Sequence, residues 1–121
     1  MINFPFNQCF IDEFGNFKYI QIKITSKIDK NQSKIIIRGS GDFSYHKGIY
    51  KNFISPIIES SDKSLFNDWE YKCIGGGRIE FKNNKIYVYG TSGEYGTADH
   101  KITKEILEKF YPNKKIELND I

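Results

Sequence analysis

The chain has only two cysteines and two histidines, no cluster of basic residues, and no apolar run long enough to cross a membrane. Each scarcity removes a class of protein or counts against one. Cys9 and Cys73 are too few and too far apart for a disulfide framework or a zinc site, so reduced thiols in a cytosolic protein are expected. The start, Met1-Ile2-Asn3-Phe4-Pro5, lacks the basic region and long apolar stretch of a signal peptide. The 18 Lys and Arg against 15 Asp and Glu leave a mild formal net charge of +3 spread along the sequence, without the Lys/Arg cluster usual in a nucleic-acid binder, a class this does not exclude. No His, Cys and carboxylate residues stand at metal-ligand spacing, and neither glycine stretch carries the lysine and hydroxyl of a nucleotide P-loop. The arginine loop of a cysteine phosphatase and the serine elbow of a hydrolase are missing too. At 121 residues the chain is expected to be one domain, 1–121, able to bury a core without metal or disulfide support.

Periodicity supplies the elements. Phe17 to Thr25 alternates, with Ile20, Ile22 and Ile24 on one face and Tyr19, Gln21 and Lys23 on the other, the period of a half-buried strand. Lys18 opens the apolar face. The unbroken Ile35-Ile36-Ile37 between Lys34 and Arg38 suits a strand buried on both sides in mid-sheet. After the break at Gly39-Ser40-Gly41-Asp42, Ile49, Tyr50, Phe53, Ile54, Ile57 and Ile58 recur at helical spacing, with Asp42 or Ser44 available as N-cap. Pro56 should kink that helix or mark its last regular turn. Residues 60–68 read as a polar surface loop, and Trp69 to Ile74 as a strand leading into Gly75-Gly76-Gly77, where a bulge or tight crossing is expected. Arg78 to Lys82 and Lys85 to Tyr89 flank Asn83-Asn84 as a hairpin. A loop from Gly90 to Gly96 precedes a second helix starting near Thr103, with Ile102 stapled onto Leu107, and Pro112 stops it. Lys115 to Leu118 reads as a final strand. The sum is an α/β or α+β sheet covered by helices.

The candidate chemistry centres on Ser44-Tyr45-His46-Lys47-Gly48, where a histidine stands at a helix start. The first N–H groups of a helix have no intrahelical partner and carry the positive end of its dipole, so a phosphate docked there lies beside a proton-transfer group. A phosphoryl group also needs charge to hold it, and Lys18, Lys47, Arg38 and Arg78 are the candidates. On residues alone, such a histidine reads more readily as a solvated or packing group than as a catalyst. His100, beside Asp99, reads as structural, ordering its loop. Gly90 to Gly96 could turn its N–H groups inward as an anion nest, with the Ser92 hydroxyl. Phe17, Tyr19, Tyr87 and Tyr89 could stack bases on an open sheet, but the basic residues among them are sparse and sheet packing is expected instead.

Taken in order, Phe17-Lys18-Tyr19-Ile20, Ile37-Arg38-Gly39, Tyr45-His46-Lys47-Gly48-Ile49-Tyr50, Cys73-Ile74-Gly75-Gly76-Gly77-Arg78-Ile79, Ile86-Tyr87-Val88-Tyr89-Gly90, Ser92-Gly93-Glu94-Tyr95-Gly96, His100 and Lys109-Phe110-Tyr111-Pro112 resemble the small protein histidine phosphatases of the janus/ocnus family. The likeness runs from about Phe17 to the C-terminus and leaves 1–16 as an N-terminal segment outside it. It implies a mixed β-sheet of about six strands with two helices packed on its two faces. It also implies metal-independent hydrolysis of the P–N bond of phosphohistidine in proteins, without a cofactor. By position His46 is the proton acceptor that activates water. Lys18 is the substrate-binding lysine, Ser92, Gly93 and Glu94 are the loop that holds phosphate, and Arg38 and Arg78 are supporting arginines, with Tyr45 beside the base. The Lys47 N–H would share the non-bridging oxygens with them. The implied protein is a cytoplasmic monomer acting on histidine-phosphorylated proteins, with phosphate as product and no nucleic-acid or membrane partner. Two alternatives accompany this reading: a catalytically weak phosphate- or phosphoprotein-binding member of the family, and a single-strand nucleic-acid binder. Two departures from the family stand out. Glu94 occupies a position where relatives have a small residue, so its N–H is expected to bind phosphate while its side chain faces solvent. The interval from His46 to Arg78 is several residues longer, with the extra length expected in the 60–68 loop.

Overall fold

Six strands and three helices follow one another in the computed structural model, which describes residues 4–119. In chain order they are β1 (Cys9–Ile11), β2 (Gly15–Ser26), β3 (Ser33–Ser40), α1 (His46–Glu59), α2 (Ser64–Asp68), β4 (Trp69–Lys82), β5 (Lys85–Tyr89), α3 (His100–Phe110) and β6 (Lys115–Leu118). The strands form one sheet in the order β1-β3-β2-β4-β5-β6. The outer pairs, β1 with β3 and β5 with β6, are parallel, and the inner pairs are antiparallel, so the sheet is mixed.

Strand alternation sorts the core into two faces. Phe17, Tyr19, Ile37, Ile79 and Val88 point to one side and pack with Ile106 and Leu107 of α3. Ile20, Ile22, Ile24 and Ile36 point to the other and pack with Ile49 of α1 and with Trp69. The N-terminal segment joins this second core. Phe4 meets Trp69 and Phe6 meets Tyr71 edge-on, with ring centroids 5.6 and 5.8 Å apart.

Several expectations are adjusted by the fold. The segment 60–68 contains the short helix α2. α1 carries Pro56 in its last turn and ends at Glu59, and its N-cap is Tyr45, with no side-chain cap from Asp42 or Ser44. α3 begins at His100, so Ile102 lies within it and no staple forms; Asp99 caps it by accepting the Lys101 N–H at 3.1 Å. The glycine triplet continues β4 as strand. The register of β2 on β4 shifts between Gln21 and Ile22, which pair with Gly75 and Cys73 and leave Ile74 as the bulged residue. Asn83 and Asn84 take positive φ of 55° and 61°, the signature of a two-residue hairpin turn.

Candidate phosphate site

The site is assembled at the end of the sheet where α1 begins. Ile20 faces α1 and pairs with Gly76, so Gly76 and the residues two positions along on each strand, Lys18 and Arg78, share that face. Lys18 pairs in register with Ser40 on one side and Arg78 on the other. The start of α1 lies directly over Gly76, and a Cβ there would come within 2.8 Å of His46 Cδ2. Glycine is therefore what lets the histidine rest on the strand.

His46 is 5 % exposed, and its Nε2 lies 2.9 Å from the Gly77 carbonyl oxygen. A carbonyl only accepts, so Nε2 carries the proton and Nδ1 holds the lone pair of the neutral ring. Among the described residues no hydrogen bond involves Nδ1, and no buried side-chain nitrogen or oxygen lacks a partner. Nδ1 is thus a base open to a small molecule at the mouth of the site. The Lys18 ammonium makes no ion pair among the described residues. Arg78 Nε donates to Asn16 Oδ1 at 2.9 Å, which holds the guanidinium along the strand edge.

The loop after β5 closes the site from the other side. Ser92 is buried, and its Oγ accepts the N–H groups of Glu94 and Tyr95 at 3.2 and 3.1 Å. Its backbone pairs with Gly96, whose carbonyl in turn accepts the Gly76 N–H at 3.0 Å. Ser92 therefore builds the turn and ties it to the strand beneath His46. Gly93 is exposed at the tip.

Glu94 departs from the expectation. Its N–H is taken by Ser92, and its side chain turns inward: Oε1 accepts the Lys47 N–H at 3.2 Å and Oε2 lies 3.9 Å from Lys47 Nζ. The loop thus supplies the cap that α1 lacks, and the donor expected to hold phosphate holds a carboxylate. Tyr45 is exposed, with Lys47 Nζ 5.6 Å from its ring centroid.

Arg38 is on the same sheet face but pairs with Ile20, so the width of β2 separates it from Gly76. It lies in a cavity of about 480 Å³ between β3 and α1, with Phe10 and Phe53 near its guanidinium. Burial lowers its pKa. His100 is structural, as expected: Nε2 donates to the Gly90 carbonyl at 2.8 Å and Nδ1 accepts the Tyr19 hydroxyl at 2.6 Å. Sequence patterns gave no warning of this Tyr19, His100, Gln21 and Thr103 network, because its members are polar residues facing inward.

Other chemistry finds less support in the geometry. Both cysteines are free thiols pushed up to about 11 by burial, which keeps them protonated and poorly nucleophilic at neutral pH. Among the described residues no three His, Cys, Asp or Glu side chains cluster at metal-binding distance. Phe17 and Tyr19 are buried under α3 and unavailable for stacking bases. No helix of the described residues is long and apolar enough to cross a membrane.

Comparison with known proteins places these residues in a wider group. Residues 4–115 match the model of the Janus/Ocnus family. The sex-regulated protein janus-A of Drosophila pseudoobscura pseudoobscura is 42% identical over 115 residues, covering 91% of this chain and 72% of that protein. Its counterpart in Drosophila melanogaster is 40% identical over 108 residues, covering 88% and 73%. The 14 kDa phosphohistidine phosphatase of Homo sapiens is 33% identical over 112 residues, covering 88% of this chain and 84% of that protein.

Proposed function

From the premise that this chain belongs to the Janus/Ocnus family, we propose that it is a metal-independent phosphatase that hydrolyses the P–N bond of phosphohistidine in proteins. The observation that carries this reading is the fixed tautomer of His46. Its Nε2–H is held by the Gly77 carbonyl and its Nδ1 is left basic, at a helix N-terminus and on the sheet face that bears Lys18 and Arg78.

The chemistry follows from the group to be transferred. The phosphoryl oxygens carry the charge, so the main tasks are to hold them and to deliver water in line with the P–N bond. Lys18 supplies the mobile cation and α1 the N–H donors at its first turn. The Ser92 turn brings the Gly93 and Glu94 backbone to the opposite rim. Arg78 lies in register with Lys18 and adds positive charge along the strand edge. Water attacks phosphorus while His46 Nδ1 removes its proton; the new P–O bond forms as the P–N bond breaks. The substrate's imidazole ring, protonated at its other nitrogen, takes the bonding electrons and leaves as neutral imidazole.

The test is phosphate release from a histidine-phosphorylated protein and from phosphoramidate, without added metal. His46→Ala is expected to lower turnover by about 10²- to 10⁴-fold with circular dichroism unchanged, and full activity in that variant overturns the assignment. The inward Glu94 carboxylate favours a second reading, a phosphate-binding relative with little turnover. Phosphate binding by the wild-type protein without release from either substrate would select it.

A further inference from the structure

We propose that Glu94 is an autoinhibitory anion, occupying the phosphate position at the start of α1 and yielding it only to a phosphoryl group that displaces it. The inference rests on the phosphatase reading and adds a residue that sets phosphoryl affinity.

Three observations carry it. First, α1 has no cap of its own: Tyr45 makes no side-chain cap bond and the first turn holds no acidic residue. Second, the gap is filled from 47 residues away, where the Glu94 carboxylate takes the Lys47 N–H and lies beside Lys47 Nζ. Third, the carboxylate is delivered by a built turn. Ser92 Oγ fixes the Glu94 N–H, and Gly96 ties the turn to Gly76, the residue beneath His46. The carboxylate thus reaches the donor that a phosphoryl oxygen would use.

A carboxylate and a phosphoryl group satisfy the same N–H and the same dipole, and two like charges in contact repel. One must leave. The Glu94 side chain is one third exposed, so rotation about its own bonds is enough to release the site without moving the turn. The bound phosphoryl group then inherits the Lys47 N–H. Affinity in the wild-type protein is the difference between the two anions, which weakens the binding of every phosphoryl ligand, product phosphate included.

Inorganic phosphate titrated into the wild-type protein, Glu94→Gln and Glu94→Ala, with the Lys47 amide followed by ¹H–¹⁵N NMR, tests the proposal. The Lys47 amide should respond in all three, with phosphate bound about 3- to 10-fold more tightly by Glu94→Ala and Glu94→Gln in between. The glutamine variant keeps an oxygen acceptor for the Lys47 N–H, so it removes charge while retaining the cap. The KM for phosphoramidate should fall by the same factor as the phosphate dissociation constant. Phosphate affinity that is unchanged or weaker in both variants, with a responding Lys47 amide, overturns the inhibitory role and leaves the phosphatase reading standing. No response to phosphate in any of the three overturns both.

Discussion

A methyl group at Gly76 would lie 2.8 Å from His46 Cδ2, 2.9 Å from the Tyr19 carbonyl oxygen and 3.0 Å from Ser92 Cβ. Two of these neighbours belong to the site and the third is backbone, so the crowding cannot be relieved by a surface side chain swinging away. Gly76→Ala should displace His46 from the Gly77 carbonyl, lowering phosphohistidine turnover by tenfold or more and stability by about 1–3 kcal/mol. Steady-state assay and urea unfolding read the two effects. Gly93→Ala is the matched control for stability: nothing lies within 4 Å of its added Cβ, and the urea midpoint should not move appreciably. The sequence offers His46, Lys18 and the Ser92 loop as candidate site residues through their types and the family resemblance. Other details were not legible. Which imidazole nitrogen is free depends on a carbonyl 31 positions away, and the direction of the Glu94 carboxylate depends on a helix start 47 positions away.

The same division appears among the elements. β2, the hairpin from β4 to β5 and β6 announce themselves through period-two alternation and turn residues. The pattern places the start of α3 three residues late because Ile102 is the only apolar residue of its first turn, His100 to Thr103. Ile102 packs against the core, and His100 and Thr103 are engaged with the sheet through bonds from Tyr19 and Gln21. Its cap is local. Asp99→Ala removes the acceptor for the Lys101 N–H and should cost about 1 kcal/mol by urea or thermal unfolding. Asp99→Ser should recover most of it, since a hydroxyl can accept the same bond. β1 had no signal of its own: three residues cannot establish a period, and Cys9, Phe10 and Ile11 are a strand only because β3 offers them an open edge. The five residues of α2 are likewise a feature of context, set just before β4.

For the whole molecule, burial on both sides of one sheet sets the response to alkali. Burial pushes the Cys9 and Cys73 thiols from 9.0 up to about 11 and the Tyr71 phenol from 10.0 up to about 12, and it raises Tyr19 further. These groups keep their protons longer in the folded chain than in the unfolded one. Their contribution to stability is therefore intact below the unfolded values and is lost as the pH rises through the raised ones. The urea midpoint should hold to about pH 9 and fall between there and about pH 12, with the phenolate of the buried Tyr19 appearing only as the chain unfolds; a midpoint constant to pH 12 would contradict this. By itself, the amino-acid sequence determined the identity of most elements, the two-faced sheet and the residue types able to handle phosphate, because those follow from short-range periodicity and side-chain chemistry. Only the tertiary structure decided the strand order, the glycine seat that turns His46 Nδ1 outward, the distance of Arg38 from that seat, and the carboxylate at the start of α1. Each of these is a meeting of segments far apart in the chain, and local sequence carries no term for where a distant donor or acceptor will lie.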